Sequence, residues 1–324
     1  MAKKILVVRT SSLGDLIHML PAISDMAHYV PHSQIDWIVE EAFAEIPGWH
    51  SAVREVIPVA HRRWRKTWWS PQTRQERAAL RQQLAAQSYD MVLDMQGLMK
   101  SVWLVRQTHG QRHGLDRKSA REPLASFFYH VKHRVEFWQP AVIRQRLLAS
   151  LALGYRYEGP PNFGLQAFTQ GVETQPYVVI MPSASRDDKL WPSDAWQQVF
   201  QALEARNLGL KVLAGNAAEA QRAQALVQAF PQAEVLPRMA LTEVAQVLAR
   251  ATLMVGLDSG LTHLSAALGR PTIGLYIAST PVRTPLQGDA YTASLGERDQ
   301  PPSVETVLAA IHQALSLPGS RGLS

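Results

Sequence analysis

Short apolar runs alternate with amphipathic segments along most of this chain, and this alternation constrains its fold more than any other feature. In the first half, the apolar runs lie at 5–8, 34–39, 56–59 and 91–94, and the helical patterns lie at 16–29, 74–86 and 144–153. Continuous apolar runs of this length, separated by helices, are typical of parallel sheets that are covered on both faces. The first half therefore predicts a doubly wound α/β domain.

The second half repeats the alternation. Its apolar runs lie at 177–181, 210–213, 234–236, 253–256 and 272–276, and its helical patterns lie at 193–205, 217–229, 241–249, 261–268 and 303–315. Between the halves, the segment 154–164 is rich in glycine and proline and is the best candidate for a linker. We expect two Rossmann-like domains, 1–165 and 166–324, that face each other across a ligand-binding cleft. Whether the last helix packs back onto the first domain stays open.

The composition is typical of a soluble globular protein, with 46% hydrophobic and 19% charged residues. The chain has no cysteine, which excludes disulfides, thiolate catalysis and cysteine-bound zinc and fits a reducing compartment. The first apolar run has only four residues before Arg9, so we interpret it as a strand and expect no secretion. No apolar stretch approaches the roughly 18 residues that a membrane-spanning helix needs. These features predict a cytoplasmic protein.

An excess of positive charge predicts an acidic partner. The net charge is +6 and the pI is near 9.6, and over residues 61–81 seven Lys and Arg residues accompany a single acid, Glu76. The same segment contains Trp64, Trp68 and Trp69. Such a mixture suits a phosphorylated substrate, an anionic membrane surface or single-stranded nucleic acid. A solvated basic face is the simpler alternative.

Several common cofactor motifs are absent from the sequence. No G-x-G-x-x-G or G-x-x-x-x-G-K-[ST] loop follows a predicted strand, which argues against a dinucleotide dehydrogenase and a P-loop NTPase. No H-E-x-x-H motif or similar spacing indicates a metal site. We therefore expect a reaction that requires neither metal nor cofactor.

Polar turns at the ends of two predicted strands are the best candidates for chemistry. After the strand at 253–256, Asp258 and His263 flank a glycine-containing turn that opens a helix, where backbone N–H groups can bind a phosphate. After the first strand, Asp15 lies in a similar turn and is placed to take a proton from an attacking hydroxyl. Helix capping is the simpler alternative for either aspartate.

Two further strand ends of the second half carry groups that suit a nucleotide diphosphate. Ser185 and Lys189 follow the strand at 177–181, and Glu219 follows the strand at 210–213. A lysine can neutralise phosphate, and a carboxylate can accept hydrogen bonds from ribose hydroxyls. A surface loop and an ordinary helix start are the alternatives. Three such strand ends in one domain together favour a nucleotide-sugar site.

Several segments together give the chain a family resemblance. They are 10–15 (TSSLGD), 37–41 (WIVEE), 46–50 (IPGWH), 62–66 (RRWRK), 94–98 (DMQGL), 120–125 (AREPLA), 186–189 (RDDK) and 258–263 (DSGLTH). With these segments the chain resembles the lipopolysaccharide heptosyltransferases of glycosyltransferase family 9 over nearly its whole length. RRWRK and AREPLA favour the type I enzymes over type II.

The resemblance implies a GT-B fold and an inverting transfer that needs no metal. L-glycero-D-manno-heptose would pass from ADP-heptose to the inner Kdo of Kdo2-lipid A. The enzyme would lie at the cytoplasmic face of the inner membrane, in peripheral contact with its anionic surface, and would bind no nucleic acid. Asp15 matches the position proposed as general base.

The resemblance also implies two sets of binding residues. Those for the donor are Ser185, Lys189, Glu219, Met239 through its backbone near adenine, Asp258, Ser259, Gly260, Leu261 and His263. Those for the anionic acceptor are Arg62, Arg63, Arg65, Lys66 and Arg121. Ala184 stands where the family commonly has a hydroxyl residue, which puts one diphosphate hydrogen bond in doubt unless Ser183 or Ser185 replaces it.

Two alternatives to a heptosyltransferase stay open. One is a related family 9 enzyme with another acceptor or nucleotide sugar, because the shape of the pocket cannot be read from the sequence. The other is a non-enzymatic basic protein that binds membrane or nucleic acid. Asp15 discriminates an enzyme from the binding protein, because a binding protein needs no base at the end of its first strand.

Overall fold

The computed structural model describes residues 2–168, 175–183 and 187–317. The chain divides into two compact units, Met1–Gly164 and Leu165–Ser324. Each unit contains one parallel six-stranded sheet whose strands alternate with helices, so the predicted pair of doubly wound α/β domains is confirmed. Within the described ranges, no helix has both the length and the apolar composition needed to cross a bilayer.

The first unit is built around its first strand. Its strands are β1 (Lys4–Val8), β2 (Gln34–Glu40), β3 (Val53–Val59), β4 (Ser88–Asp94), β5 (His109–Leu115) and β6 (Val131–His133). Its helices are α1 (Leu13–Ile17), α2 (Leu20–Tyr29), α3 (Glu45–Gly48), α4 (His61–Lys66), α5 (Pro71–Ala85), α6 (Met99–Val105) and α7 (Ala141–Leu153), with 3₁₀ turns at Glu41–Phe43 and Pro123–Phe128. The strand order is β3-β2-β1-β4-β5-β6. β1 is therefore central, and its last four residues are buried.

The second unit has the same plan. Its strands are β7 (Tyr177–Met181), β8 (Gly209–Val212), β9 (Ala233–Val235), β10 (Leu253–Leu257), β11 (Thr272–Leu275) and β12 (Thr292–Leu295). Its helices are α8 (Ser193–Glu204), α9 (Ala217–Val227), α10 (Leu241–Arg250), α11 (Gly260–Ala267) and α12 (Val304–Ser316), with 3₁₀ turns at Gln166–Phe168 and Asp187–Lys189. The last helix packs against α8, β11 and β12 of this same unit.

Both sheets reverse their strand order near the middle. The first unit adds β2 and β3 on one side of β1 and then β4 to β6 on the other, and β7 to β12 follow the same sequence of moves. Doubly wound sheets bind ligands beyond the carboxyl ends of their strands at this reversal. The turns after β1, β4, β7 and β10 are therefore the places where the fold favours a site.

The structure corrects the long helix expected at 16–29. The chain forms α1 and α2 instead, and Pro21 lies in the first turn of α2. Because proline has no N–H, it cannot continue the hydrogen-bond ladder of a preceding helix. α1 begins at Leu13, shortly after the end of β1 at Val8, and has Asp15 in its first turn.

Several elements were not predicted, because their sequences lack an apolar period. β5 has the sequence HGQRHGL and β6 the sequence VKH, and both lie at one side of the sheet, where fewer residues are buried. β12 is an edge strand whose four residues are all half-buried. The helices α3, α4 and α6 were also missed, because with 4, 6 and 7 residues they are too short to show a helical period.

A buried ion pair joins two helices on one face of the first sheet. Arg146 of α7 donates from Nε to Asp25 Oδ2 at 2.7 Å and from Nη2 to Asp25 Oδ1 at 3.0 Å. The same guanidinium donates to the carbonyl oxygens of Glu158 and Gly159. Arg146 thereby binds both α2 and the segment 154–164, which the sequence indicated as a linker.

We predict that Asp25→Ala destabilises the first unit by about 3–5 kcal/mol, because it leaves the buried Arg146 charge without a carboxylate. Glu136→Ala is the matched control: it breaks an ion pair with Arg134 in which both side chains are largely exposed, and it should change stability by less than about 1 kcal/mol. Urea unfolding followed by circular dichroism measures both. Equal effects of the two substitutions would contradict a dominant role for the buried pair.

Candidate active site

The turn after β1 presents Asp15 at the start of α1. Its Oδ2 accepts hydrogen bonds from the Ser12 N–H at 2.8 Å and the Ser12 hydroxyl at 3.0 Å. Its Oδ1 forms an ion pair with Arg9 Nη2 at 2.7 Å. The Asp15 side chain nevertheless stays 41% exposed. The capping role considered from the sequence is therefore real, and it leaves the carboxylate accessible to a ligand.

The surroundings of Asp15 favour its charged form. Burial raises the pKa of the Asp15 carboxyl, but Arg9, the two hydrogen bonds from Ser12 and nearby His18 lower it by more, so the net shift is downward. Hydrogen bonds and positive charge stabilise a carboxylate, whereas desolvation disfavours it. Asp15 is therefore deprotonated at neutral pH, as a base must be.

The turn after β4 is tied to the turn after β1. Gln96 Oε1 accepts hydrogen bonds from the N–H and the hydroxyl of Thr10, at 3.1 and 2.9 Å. The ammonium group of Lys100 donates to the Ser11 hydroxyl at 2.8 Å. Arg9 Nη1 donates to the Met95 carbonyl oxygen. These contacts fix the polar groups on both sides of the strand-order reversal.

A cavity of about 430 Å³ opens beside these turns. Its lining includes Ser11, Glu40, Arg62, Arg65 and Lys100, together with His61, Arg77 and the rings of Trp64, Trp68 and Trp103. Burial raises the pKa of Glu40 and lowers that of Lys100. Four Lys and Arg residues accompany one carboxylate in the lining, so the cavity suits an anionic ligand. Lys100 was missed from the sequence because it lies outside residues 61–81, which we call the basic run.

The structure gives the five predicted acceptor residues different surroundings. Arg62 and Arg65 line the cavity. Arg63 forms ion pairs with Glu41 at 3.0 Å and Glu76 at 2.8 Å, which occupy its guanidinium. Lys66 is exposed and lies outside the cavity lining, as does Arg121 in the turn before Pro123–Phe128. Of the five predicted acceptor residues, Arg62 and Arg65 therefore line the cavity, and contact of the others with an acceptor stays a prediction.

In the second unit, Asp258 follows β10 at the strand-order reversal. Its Oδ2 accepts a hydrogen bond from the Ser279 hydroxyl at 2.6 Å and one from Lys189 Nζ at 3.2 Å. Its Oδ1 lies 3.3 Å from His263 Nε2. The structure thus brings Lys189, Asp258 and His263 together, as expected. Ser279 was missed, because its position after a predicted strand does not show that it contacts Asp258, 21 residues earlier in the sequence.

The start of α11 is organised by a hydroxyl cap. Ser259 is the N-cap residue and accepts the Thr262 N–H, while the Thr262 hydroxyl donates to the Leu257 carbonyl oxygen at 2.6 Å. Gly260 and Leu261 form the first turn, and their N–H groups lie at the positive end of the helix dipole. Burial raises the pKa of Asp258, but His263, Ser279 and Lys189 lower it by more. Asp258 is therefore an anion at neutral pH.

Two other predicted donor residues, Glu219 and Met239, lie in other loops of the second unit. Glu219 is buried, and its carboxylate accepts the Gly215 N–H and the Asn216 side-chain amide, each at 2.7 Å. These contacts give it a local role at the start of α9, and its ribose contact stays a prediction. Met239 is half-buried in the loop before α10. Ser185 lies outside the described residues, as does Ala184.

The described residues contain no cluster of three or more His, Asp or Glu side chains that could hold a metal ion.

Comparison with known proteins identifies the family of the chain. The family model for glycosyltransferase family 9 (heptosyltransferase) matches residues 77–310. The chain belongs to glycosyltransferase family 9. It is 46% identical to lipopolysaccharide heptosyltransferase 1 of Salmonella typhimurium over 285 residues, which cover 86% of this chain and 89% of the relative. The identity to the Pseudomonas aeruginosa heptosyltransferase 1 is 44%, over 86% of this chain and 79% of the relative.

Solved structures of the same family agree in fold. The E. coli heptosyltransferase WaaC with ADP has a TM-score of 0.88 and 41% identity, over 96% of this chain and 98% of that chain. E. coli heptosyltransferase II has a TM-score of 0.74 at 21% identity, over 96% of this chain and 98% of that chain, and this likeness concerns the fold alone. The fold of this family 9 glycosyltransferase is therefore GT-B, as the sequence predicted.

We predict that Arg9→Met raises the pKa of Asp15, because it removes the positive charge that faces Oδ1. Arg9→Lys keeps that charge and is the matched control, with a smaller shift expected. NMR titration of the aspartate carboxyl carbons measures the pKa, and Asp15→Asn identifies the resonance. An unchanged Asp15 titration in the folded Met variant would show that Arg9 does not control its charge.

Proposed function

We propose that this glycosyltransferase moves L-glycero-D-manno-heptose from ADP-heptose to the inner Kdo of Kdo2-lipid A, with inversion at the anomeric carbon. One observation carries the proposal. The chain matches, at 40% identity over 96% of its length and with a TM-score of 0.84, a heptosyltransferase solved with ADP-2-deoxy-2-fluoro heptose. The anionic Asp258 and the basic residues around it supply the chemistry that such a donor requires.

The donor is assigned to the second unit. The Asp258 carboxylate is an acceptor for sugar hydroxyls, since its lowered pKa keeps it charged. The N–H groups of Gly260 and Leu261 suit the diphosphate. Lys189, held near Asp258, offsets the negative charge that ADP gains as the glycosidic bond breaks, a role that metal ions have in other transferases. Ser185, Glu219 and Met239 complete the donor assignment.

Asp15 is assigned the role of general base. In the reaction, an acceptor hydroxyl oxygen forms a bond to the anomeric carbon while the bond from that carbon to the ADP oxygen breaks. The hydroxyl proton passes to Asp15, and the electron pair of the broken bond leaves with ADP. A carboxylate that is ionised and exposed meets the two requirements of this step.

The acceptor is assigned to the first unit. The cationic cavity lined by Arg62, Arg65 and Lys100 suits the carboxylates of Kdo and the phosphates of lipid A. Because this acceptor is a lipid, the enzyme would lie at the cytoplasmic face of the inner membrane as a peripheral protein. An enzyme of the same family with a different acceptor is the remaining alternative, while membership in the glycosyltransferase family argues against a non-enzymatic binding protein.

ADP release tests the proposal. The wild-type protein should release ADP from ADP-heptose when de-acylated Kdo2-lipid A is added, and it should be inactive with other nucleotide sugars. Release with another donor but none with ADP-heptose would overturn the assignment. Transfer to a heptosylated core but not to de-acylated Kdo2-lipid A would instead identify the alternative family 9 enzyme.

Asp15→Ala should lower turnover in this assay by about 10²–10⁴-fold, the usual contribution of a general base. ADP binding, measured by calorimetry, should stay near that of the wild type, because Asp15 belongs to the acceptor side. Asp258→Ala is the matched control and should weaken nucleotide-sugar binding. If Asp15→Ala retains more than about a tenth of wild-type turnover, Asp15 is not the base.

Arg65→Ala should raise the acceptor KM about fivefold, which corresponds to roughly 1 kcal/mol for a partly exposed charge contact. It should also weaken the dependence of that KM on salt, because one screened interaction is lost. Arg81→Ala, in the exposed part of α5, makes the same change of net charge outside the cavity. If both variants have the same acceptor KM, net charge rather than a contact of Arg65 governs binding.

A further inference from the structure

The first unit has an exposed apolar surface beside the cavity assigned to the acceptor, and of its five residues only Trp68 also lines that cavity. It consists of Trp68, Trp69, Met99, Leu124 and Phe127, and we call it the apolar face. Trp69 is 82% exposed, Leu124 64% and Phe127 65%. Single exposed apolar residues are common on soluble proteins, whereas a contiguous group of large ones marks an interaction surface.

Contacts of Arg77 connect the tryptophans of the apolar face to α6. The Arg77 guanidinium lies 4.1 Å from the centre of the Trp68 ring and 4.9 Å from that of Trp103. Trp103 is half-buried in α6, and Met99 lies four residues before it on the same helical face. These contacts therefore place Trp68 near α6, the helix that carries Met99.

A second contact joins α6 to the rest of the apolar face. The Met99 N–H donates to Glu122 Oε2 at 2.6 Å, and the 3₁₀ turn Pro123–Phe128 packs against α6. This turn carries Leu124 and Phe127 on its exposed side, while Phe128 packs against the core of the unit. The exposed side chains thus belong to one surface rather than to separate loops.

Positive charge borders the apolar face. The exposed cations around it that lie outside the cavity lining are Lys66, Arg74, Arg106 and Arg121. Among the described residues, none of these four has a carboxylate partner. The neighbouring acids are engaged elsewhere, Glu76 with Arg63 and Glu122 with the Met99 N–H. The face therefore combines exposed rings with uncompensated cations.

We propose that the apolar face lies on an anionic bilayer, with Trp69, Leu124 and Phe127 in the interfacial region and the bordering cations on lipid phosphates. Tryptophan is favoured at the boundary between headgroups and acyl chains. Clustered Lys and Arg add attraction to anionic lipids. A protein partner would need acidic side chains placed opposite these cations, whereas an anionic bilayer carries negative charge over its whole surface. The inference rests on the proposed lipid-linked acceptor, because the face would bring the enzyme to it.

Vesicle binding tests the inference. The whole protein should co-sediment with vesicles that contain phosphatidylglycerol, far more than with vesicles of phosphatidylcholine alone, and high salt should reduce the binding. The double variant Trp69→Ser and Phe127→Ser should bind about tenfold more weakly, because two apolar side chains no longer enter the interface. Leu124→Ser should act in the same direction.

Leu151→Ser is the matched control for Leu124→Ser. Leu151 is also an exposed leucine, at 49%, but it lies on α7, which packs against α2 rather than against α6. Its variant should bind vesicles as the wild type does. Thermal unfolding shows whether each variant is folded. Wild-type affinity in the folded double variant would overturn the inference, as would equal binding to both kinds of vesicle.

Two further measurements separate this inference from others. Binding of single-stranded DNA that is lost in the double variant, without any vesicle binding, would assign the face to nucleic acid and overturn the inference. Turnover with a de-acylated, water-soluble acceptor should be unchanged in the double variant. If the wild type binds vesicles but transfers no heptose to that acceptor, the proposed function fails while the bilayer contact stands.

Discussion

The reversal of strand order in the middle of each sheet is the constraint on which the candidate sites depend. Strands on either side of it are connected in opposite directions, so the loops beyond their carboxyl ends diverge and leave room for a ligand. Asp15 follows β1, Gln96 follows β4 and Asp258 follows β10. Each unit thus has a carboxylate beside its reversal, after the first strand of the sheet in the first unit and after the fourth strand in the second.

The two carboxylates nevertheless have different environments. Asp15 is 41% exposed and has its charge balanced by Arg9, whereas the Asp258 side chain is 14% exposed and contacts Ser279, Lys189 and His263. A carboxylate held by three donors in a shielded position is suited to orienting hydroxyls. An exposed carboxylate with room beside it is better placed to receive a proton. The difference in surroundings therefore supports different roles for chemically identical groups.

The sequence predicted the parts of this structure that have a local signal. Buried strands such as β1, β7 and β10 are continuous apolar runs, and polar residues just after them indicated Asp15 and Asp258. The strands β5 and β6 gave no such signal, since most of their residues are polar or glycine and they are organised by pairing, β5 with β4 and β6 with β5. Lys100 and Ser279 were missed for a related reason. Their roles arise from contacts across 89 and 21 residues of sequence, which no local pattern encodes.

The basic run shows how structure changes the meaning of composition. In the sequence its cations are equivalent, and seven of them accompany one acid. In the structure, Arg63 is neutralised by Glu41 and Glu76, and the planar group of Arg77 contacts the rings of Trp68 and Trp103. The guanidinium of Arg63 thus stabilises the scaffold, whereas Arg65 keeps its charge available at the cavity. The attraction for an anionic acceptor consequently depends on which cations lack carboxylate partners, and the net charge of the segment overstates it.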